Sequence, residues 1–170
     1  MLSEARRSVQ TVTADWMPVH QKLFAGVHIR EIKNLIIRSG VLTECFRPEW
    51  FTPPLVPAHA VYVALMPGGI SSWHCHRNQR DVIICVRGQL RIGLYDDRED
   101  SETYKACTKL NFGIARPAAL HIPPLVWHAL KNPTGEEAAY VVLNDEPFNY
   151  QDPDDWTLPP GSEAIPFTLD

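Results

Sequence analysis

Fifteen prolines are distributed along 170 residues, against only nine glycines. Proline lacks a backbone N–H and its ring clashes with the preceding helical turn, so a chain punctuated in this way cannot fold as a helix bundle. Short strands joined by turns and irregular loops accommodate it at edges and bends. The apolar segments have that character. Val27–Ile37 and Val41–Phe46 read as strands around a turn at Arg38-Ser39-Gly40. Four more follow: Ala60–Met66, Ile70–His76, Asp81–Val86 and Gln89–Asp96. Ala119–Ile122, Trp127–Lys131 and Ala139–Asn144 complete the set. Spacings of roughly 8–12 residues between short strands predict an all-β sandwich or barrel.

Within this pattern, Asp81–Val86, Arg87-Gly88 and Gln89–Asp96 read as a β-hairpin. The stretch from Arg47 to Pro57 is irregular, because Pro48, Pro53, Pro54 and Pro57 fall in it. Residues 3–25 read as a short helix or an arm, and the Pro- and Asp-rich tail from Asp145 has no periodicity, as expected of a segment wrapping the barrel or a neighbouring subunit. The division expected is an N-terminal arm (1–26), one β-barrel (27–146) and a C-terminal tail (147–170).

A chain of 19.3 kDa builds one core. Sixteen Lys and Arg against 20 Asp and Glu give a net charge of −4 without a basic stripe, which argues against nucleic acid as a partner. No apolar run has the ~18–20 residues of a membrane helix, and the first residues lack the apolar segment of a secretory signal. Cys45, Cys75, Cys85 and Cys107 stand alone, as free thiols of a reducing compartment do. The expectation is a cytoplasmic protein with no membrane partner.

Chemistry is concentrated in the histidines. His74 and His76 are one residue apart on an expected strand, so the two-residue period points both rings to one face. Asp81 opens the next apolar strand, and His128 lies on another, after Pro123-Pro124. Three imidazoles and one carboxylate converging in a barrel suit Fe(II), Mn(II), Ni(II), Zn(II) or Cu(II); they also suit metal-free proton transfer, for which imidazole is poised near pH 7. His20, His28, His59 and His121 read as exposed or as hydrogen-bonded core residues. Trp73 and Trp127 each precede a site histidine and so face the other way, as does Cys75.

Gly68, His74-Cys75-His76, Asp81 and Gly88 resemble the first cupin motif, with intervals of five, four and six residues, and with Asp where Glu is usual. Pro123-Pro124 through His128 to Asn132 resembles the second. Within the cupins, the chain resembles proteins related to dTDP-4-dehydrorhamnose 3,5-epimerase. Arg38-Ser39-Gly40 with Glu44 and Phe46, Trp73-His74-Cys75-His76 with Gln79-Arg80-Asp81, Tyr95-Asp96-Asp97-Arg98, and the tail Asp152–Trp156 carry that resemblance, which spans about residues 27–168.

The resemblance implies a cupin-type β-barrel (jelly roll), a homodimer, and proton abstraction and return on a nucleotide-linked (dTDP-type) 4-keto-6-deoxy sugar. It implies His74 as base, with His76 or His128 as its partner. Arg38, Glu44, Arg80, Arg91 and Asn132 are the expected substrate contacts. Three positions depart from the epimerase pattern: Ser71 stands where an Arg is expected, Asp81 where a Lys is, and Asn144 or Asp145 where the catalytic Tyr is, with Tyr150 nearby. A ketoisomerase, in which an HxH pair shuttles a proton without metal, accommodates these departures. So does a metal enzyme with His74, His76, Asp81 and His128 as ligands of Fe, Mn, Ni or Zn, since a cation turns a misplaced carboxylate into a ligand. A cupin that binds a sugar without transforming it is the third reading.

Overall fold

The computed structural model describes residues 3–19 and 21–169. Twelve strands run through it: β1 (His28–Glu31), β2 (Asn34–Ile37), β3 (Gly40–Thr43), β4 (His59–Leu65), β5 (Trp73–Cys75), β6 (Asp81–Arg87), β7 (Gln89–Asp96), β8 (Cys107–Gly113), β9 (Ala118–Ile122), β10 (Val126–Lys131), β11 (Ala138–Asn144) and β12 (Trp156–Leu158). Two five-stranded antiparallel sheets form, in the orders β1-β9-β6-β11-β4 and β12-β5-β10-β7-β8, beside a separate β2-β3 hairpin. Inward residues of both sheets share one core. Ile83, Leu120 and Tyr140 enter it from the first sheet, and Leu90, Ile92, Leu110 and Leu130 from the second. This is the jelly-roll barrel of the cupins. No described helix is long and apolar enough to cross a membrane, and all four cysteines are free.

Three expectations about elements need correction. Val27–Ile37 is not one strand: after β1 pairs with β9, Ile32 donates to the Pro117 carbonyl (2.9 Å) and the chain leaves the sheet. β6 and β7 do not form a hairpin; they lie in different sheets. Gly88, at φ +69°, turns a corner between them, and a Cβ there would sit 2.9 Å from the Glu137 carbonyl oxygen. Of the two readings of residues 3–25, the described part is the arm: it holds no helix and has an isolated bridge between Val12 and Pro18. Finally, the tail does contain a strand: β12 pairs with β5, setting Thr157 opposite His74.

Besides β12, strand β8 lies outside the set expected from the sequence, although Thr108, Leu110 and Phe112 alternate inward along it. Beyond β12 the tail folds back over the outside of the second sheet, where Ile165 and Leu169 bury Trp73, Tyr95 and Ala129. The expected outward direction of Trp73 is thus met. Gly93 lies under this cover, and a Cβ there would be 2.6 Å from Leu169 and 2.9 Å from Trp73.

Candidate active site

The antiparallel register sets His128 of β10 directly opposite His74 of β5, and His76 follows at the end of β5. Their rings cluster: the centroids of His74 and His76 lie 6.2 and 5.6 Å from that of His128. Asp81, at the start of β6, closes the group from the other sheet. The cluster opens into a cavity of about 560 Å³ between the sheets, within the ~300–1,000 Å³ typical of small-molecule sites.

The hydrogen bonds assign protons. His128 Nδ1 faces the Val126 carbonyl (3.1 Å) and must donate to it, leaving Nε2 to face Asp81 Oδ2 at 3.3 Å. His76 Nδ1 donates to the Asp154 carbonyl, while its Nε2 lies 3.3 Å from the same Asp81 oxygen. Both groups facing His76 are acceptors, an arrangement that favours the doubly protonated ring. Burial alone would lower its pKa, but the hydrogen bond and charge of Asp81 outweigh it and raise it to about 9. Burial takes His128 the other way, to about 4, with Asp81 offsetting only part of the cost of desolvation. Asp81 is 2% exposed. Burial disfavours its charge, but the two histidines and Asn144 hold its pKa below the usual carboxylate range; Asn144 Nδ2 and Gln79 Nε2 each donate to its Oδ1 at 2.8 Å.

His74 stands apart. Its Nδ1 pairs with Asp155 Oδ1 at 3.0 Å, which fixes the tautomer and leaves Nε2 as the basic nitrogen at the cavity wall. The neighbouring Asp154 positions this segment: its carboxylate accepts from the backbone N–H groups of Arg77 (2.8 Å), Asn78 (2.7 Å) and Gln79 (3.3 Å). Burial opposes its charge, but these three donors prevail and lower its pKa. The tail therefore supplies both the partner of His74 and the clamp on the turn after His76.

The donor set also fits a divalent transition metal. His76, Asp81 and His128 present ligand atoms within 4.8 Å of one another. Metal bonds of ~2.0–2.2 Å at tetrahedral angles separate ligand atoms by roughly 3.4 Å, close to the 3.3 Å found for both His–Asp pairs. Both rings also turn Nδ1 to a carbonyl, as metal-bound histidines do. The ligand atoms of His74 are not part of this group.

The structure brings His74, His76, Asp81 and His128 to one cavity, as expected, but none of the expected substrate contacts. Arg80 is held by Asp145 (2.5 Å) and by the carbonyls of Pro53 and Pro54. Arg91 points outward to the Leu169 carbonyl (3.1 Å), because β7 directs Leu90 and Ile92 inward. Asn132 is fully buried and ties a turn, donating to the carbonyls of Leu65, Met66 and Glu136. Glu44 pairs with Arg47 at the surface (2.6 Å), and Arg38 is exposed at the tip of the β2-β3 hairpin. Arg77 stacks on Trp156 at 4.1 Å.

Other residues join the cavity without a mark in the sequence. His59, expected to be exposed or a core residue, lines its mouth beside Phe148 (6.4 Å), and Tyr140, rather than the exposed Tyr150, is the tyrosine lining the cavity. Only alternation along β11 with Val142 and Asn144 points to Tyr140; no local signal links Asp155 to a histidine 81 residues away. His121 is buried and bonds the Gly26 carbonyl (2.9 Å), as a core histidine should. His28 is exposed, and His20 lies outside the described residues.

Known proteins share this architecture. The probable low-salt glycan biosynthesis epimerase Agl13 of Haloferax volcanii is 30% identical over 138 residues, covering 79% of this chain and 88% of its own. A dTDP sugar isomerase from Desulfovibrio desulfuricans G20 superposes with a TM-score of 0.78 at 20% identity, covering 88% and 95% of the two chains. ChmJ, a 3'-monoepimerase from Streptomyces bikiniensis solved as a double mutant with dTDP, gives 0.76 at 18%, covering 88% and 77%. Residues 26–156 match the family described as "FdtA: WxcM-like, C-terminal", which is most of the chain, and the protein therefore belongs to that family.

Proposed function

We propose that this protein is an isomerase or epimerase of a dTDP-linked 4-keto-6-deoxy sugar, working by proton transfer with His74 as the base. The observation that carries this reading is the His74–Asp155 pair at the cavity wall. With Nδ1–H donated to a carboxylate, His74 Nε2 accepts the proton of the carbon next to the ketone. The electron pair moves into the carbonyl, and the resulting enolate needs positive charge nearby. His76 supplies it, occupying the role for which the epimerase pattern uses a lysine. His74 and His76 share one wall, which favours return of the proton to the neighbouring carbon on the same face. Ketone and hydroxyl then exchange places, with a hydroxyl proton passing to the former carbonyl oxygen. The epimerase among the relatives supports the same opening step.

The test is incubation with dTDP-4-keto-6-deoxyglucose in D2O, followed by NMR. Deuterium entering carbon next to the ketone, and its loss in His74→Asn with dTDP binding retained, is the expected result. Absence of both exchange and turnover would overturn the reading.

A second reading is favoured by the convergence of His76, Asp81 and His128: these three would hold a divalent transition metal, which would supply Lewis-acid polarisation of the ketone. His74 would remain the base. Near-stoichiometric metal in the purified protein, removed together with turnover by a chelator, selects this reading.

The active form in either case is proposed to be a homodimer. The cavity lining contains Asp81, Glu146, Asp152, Asp154 and Asp155 but no Arg or Lys among the described residues, so a diphosphate must find its cations elsewhere. The β2-β3 hairpin carries Arg38 at its tip and leaves Leu35, Ile36, Val41 and Leu42 more than half exposed, as a segment seated on a second copy would.

A further inference from the structure

β12 is a three-residue strand at the edge of its sheet, and β5 is its one neighbour. The ladder sets Trp156, Thr157 and Leu158 opposite Cys75, His74 and Trp73. Leu158, at the far end, packs under the returning tail. The near end carries the functional group: Asp155, whose Oδ1 meets His74 Nδ1, directly precedes the strand. A short edge element with few buried contacts opens at low cost, so the near end needs an anchor of its own. Arg77 supplies two. Its backbone N–H donates to Asp154 Oδ1 (2.8 Å). Its guanidinium carbon lies 4.1 Å from the centre of the Trp156 ring, well inside the ~6 Å over which a cation is drawn to an aromatic face. One residue thus grips the positions on either side of Asp155.

Alternation turns Trp156 to the outer face of the sheet, beside Cys75 and Trp127, and Asp155 to the cavity. Trp156 is 47% exposed, so core filling does not account for an indole there. The Arg77 side chain does not line the cavity and forms no ion pair among the described residues, which leaves the indole face as what it engages. We infer that Arg77 is a positioning residue for the proposed reaction: its guanidinium, seated on Trp156, holds the Asp155 carboxylate on His74 Nδ1 and so keeps His74 Nε2 available as the base. The inference rests on the reading of His74 as the base and deepens it by naming what keeps the partner of that base in place. Removing the stack lets residues 154–156 leave the strand, and the rate falls in proportion to the fraction of molecules in which Asp155 is seated.

The experiment is a mutant cycle on the full chain, with dTDP-4-keto-6-deoxyglucose as substrate and kcat and KM read separately. Arg77→Ala should lower kcat about fivefold, the ordering that one exposed stack of this kind supplies, with KM unchanged. Trp156→Leu should do the same, and the two combined should be no slower than either alone, because both remove one contact. Arg77→Lys, which keeps a cation over the ring, should recover most of the rate. Added to Asp155→Asn, Arg77→Ala should have no further effect. A second readout needs no substrate: in 15N spectra of the histidine rings, His74 should be the Nδ1–H tautomer in wild type and a mixture of tautomers in Arg77→Ala. Wild-type kcat in Arg77→Ala, a full effect of Arg77→Ala on top of Asp155→Asn, or an unchanged His74 tautomer each overturn the inference and leave the functional reading intact. If the wild type shows no turnover, the functional reading falls and takes the catalytic role of Arg77 with it.

Discussion

His74 and His76 differ by two positions in sequence, but their ring nitrogens face different groups: Asp155 for His74, the Asp154 carbonyl and Asp81 for His76. Under the proposed role of His74 as the base, which Asp155 orients through Nδ1, Asp155→Asn should lower kcat on the order of 10²-fold with little change in KM, as read from steady-state kinetics. Asp81 retains a proton on His76, whose pKa in the folded protein is raised to about 9 from ~6.5 in an unfolded chain. That stabilisation is complete below pH ~6.5 and is lost as pH rises through 9. His128, lowered to about 4 by burial, acts oppositely: as pH falls from ~6.5 towards 4, the unfolded chain takes up the proton first and stability declines. Melting temperature should therefore peak near pH 6.5, and His76→Gln should flatten the alkaline limb. The HxH pair, Asp81 and His128 are legible in the sequence because spacing on strands dictates facing. Asp155 is not, since its pairing with His74 depends on the tail returning across the barrel. Arg80, Arg91 and Asn132 resemble ligand contacts because charge and amide groups near a motif carry no mark of their partners. Asp145, the Leu169 carbonyl and the Asn132 turn claim them instead.

At the scale of elements, alternation locates most strands but not their neighbours. β6 and β7 are contiguous, apolar and joined at a glycine, which is the pattern of a hairpin, yet both are buried along most of their length. β6 has Ile83 and Cys85 in the core on one side and Val82 and Ile84 under Phe51 and Leu55 on the other. A strand covered on both faces can turn a corner into the second sheet, and Gly88 at φ +69° permits the corner. The tail strand β12 has only three residues, too few to show a period. Its consequence is nevertheless testable at Gly93, which the returning tail covers. Gly93→Ala places a methyl against Leu169 and Trp73, and should destabilise the fold by about 1–3 kcal/mol, measured by urea denaturation. Because the tail also carries Asp154 and Asp155, turnover should fall at denaturant concentrations below the global transition.

For the molecule as a whole, the balance of charge around the cavity points beyond one chain. A nucleotide diphosphate cannot settle against five carboxylates without compensating cations, and the described lining contains neither Arg nor Lys. The β2-β3 hairpin meanwhile has apolar side chains exposed on a two-stranded element, which is marginal in water on its own; Ile36 is 85% exposed. Burying this hairpin on a second copy would remove that surface from water and bring Arg38 into reach of a ligand. Ile36→Asp should then convert the protein from dimer to monomer in light scattering and reduce kcat/KM. Arg38→Ala should instead leave the dimer intact and raise KM for the dTDP-sugar about tenfold, with kcat little changed, as expected when a ground-state contact is removed. A wild-type protein that is monomeric at working concentration and still turns over would exclude the shared site. In that case the diphosphate would have to be compensated by a bound cation at the acidic mouth, and activity would depend on added divalent metal.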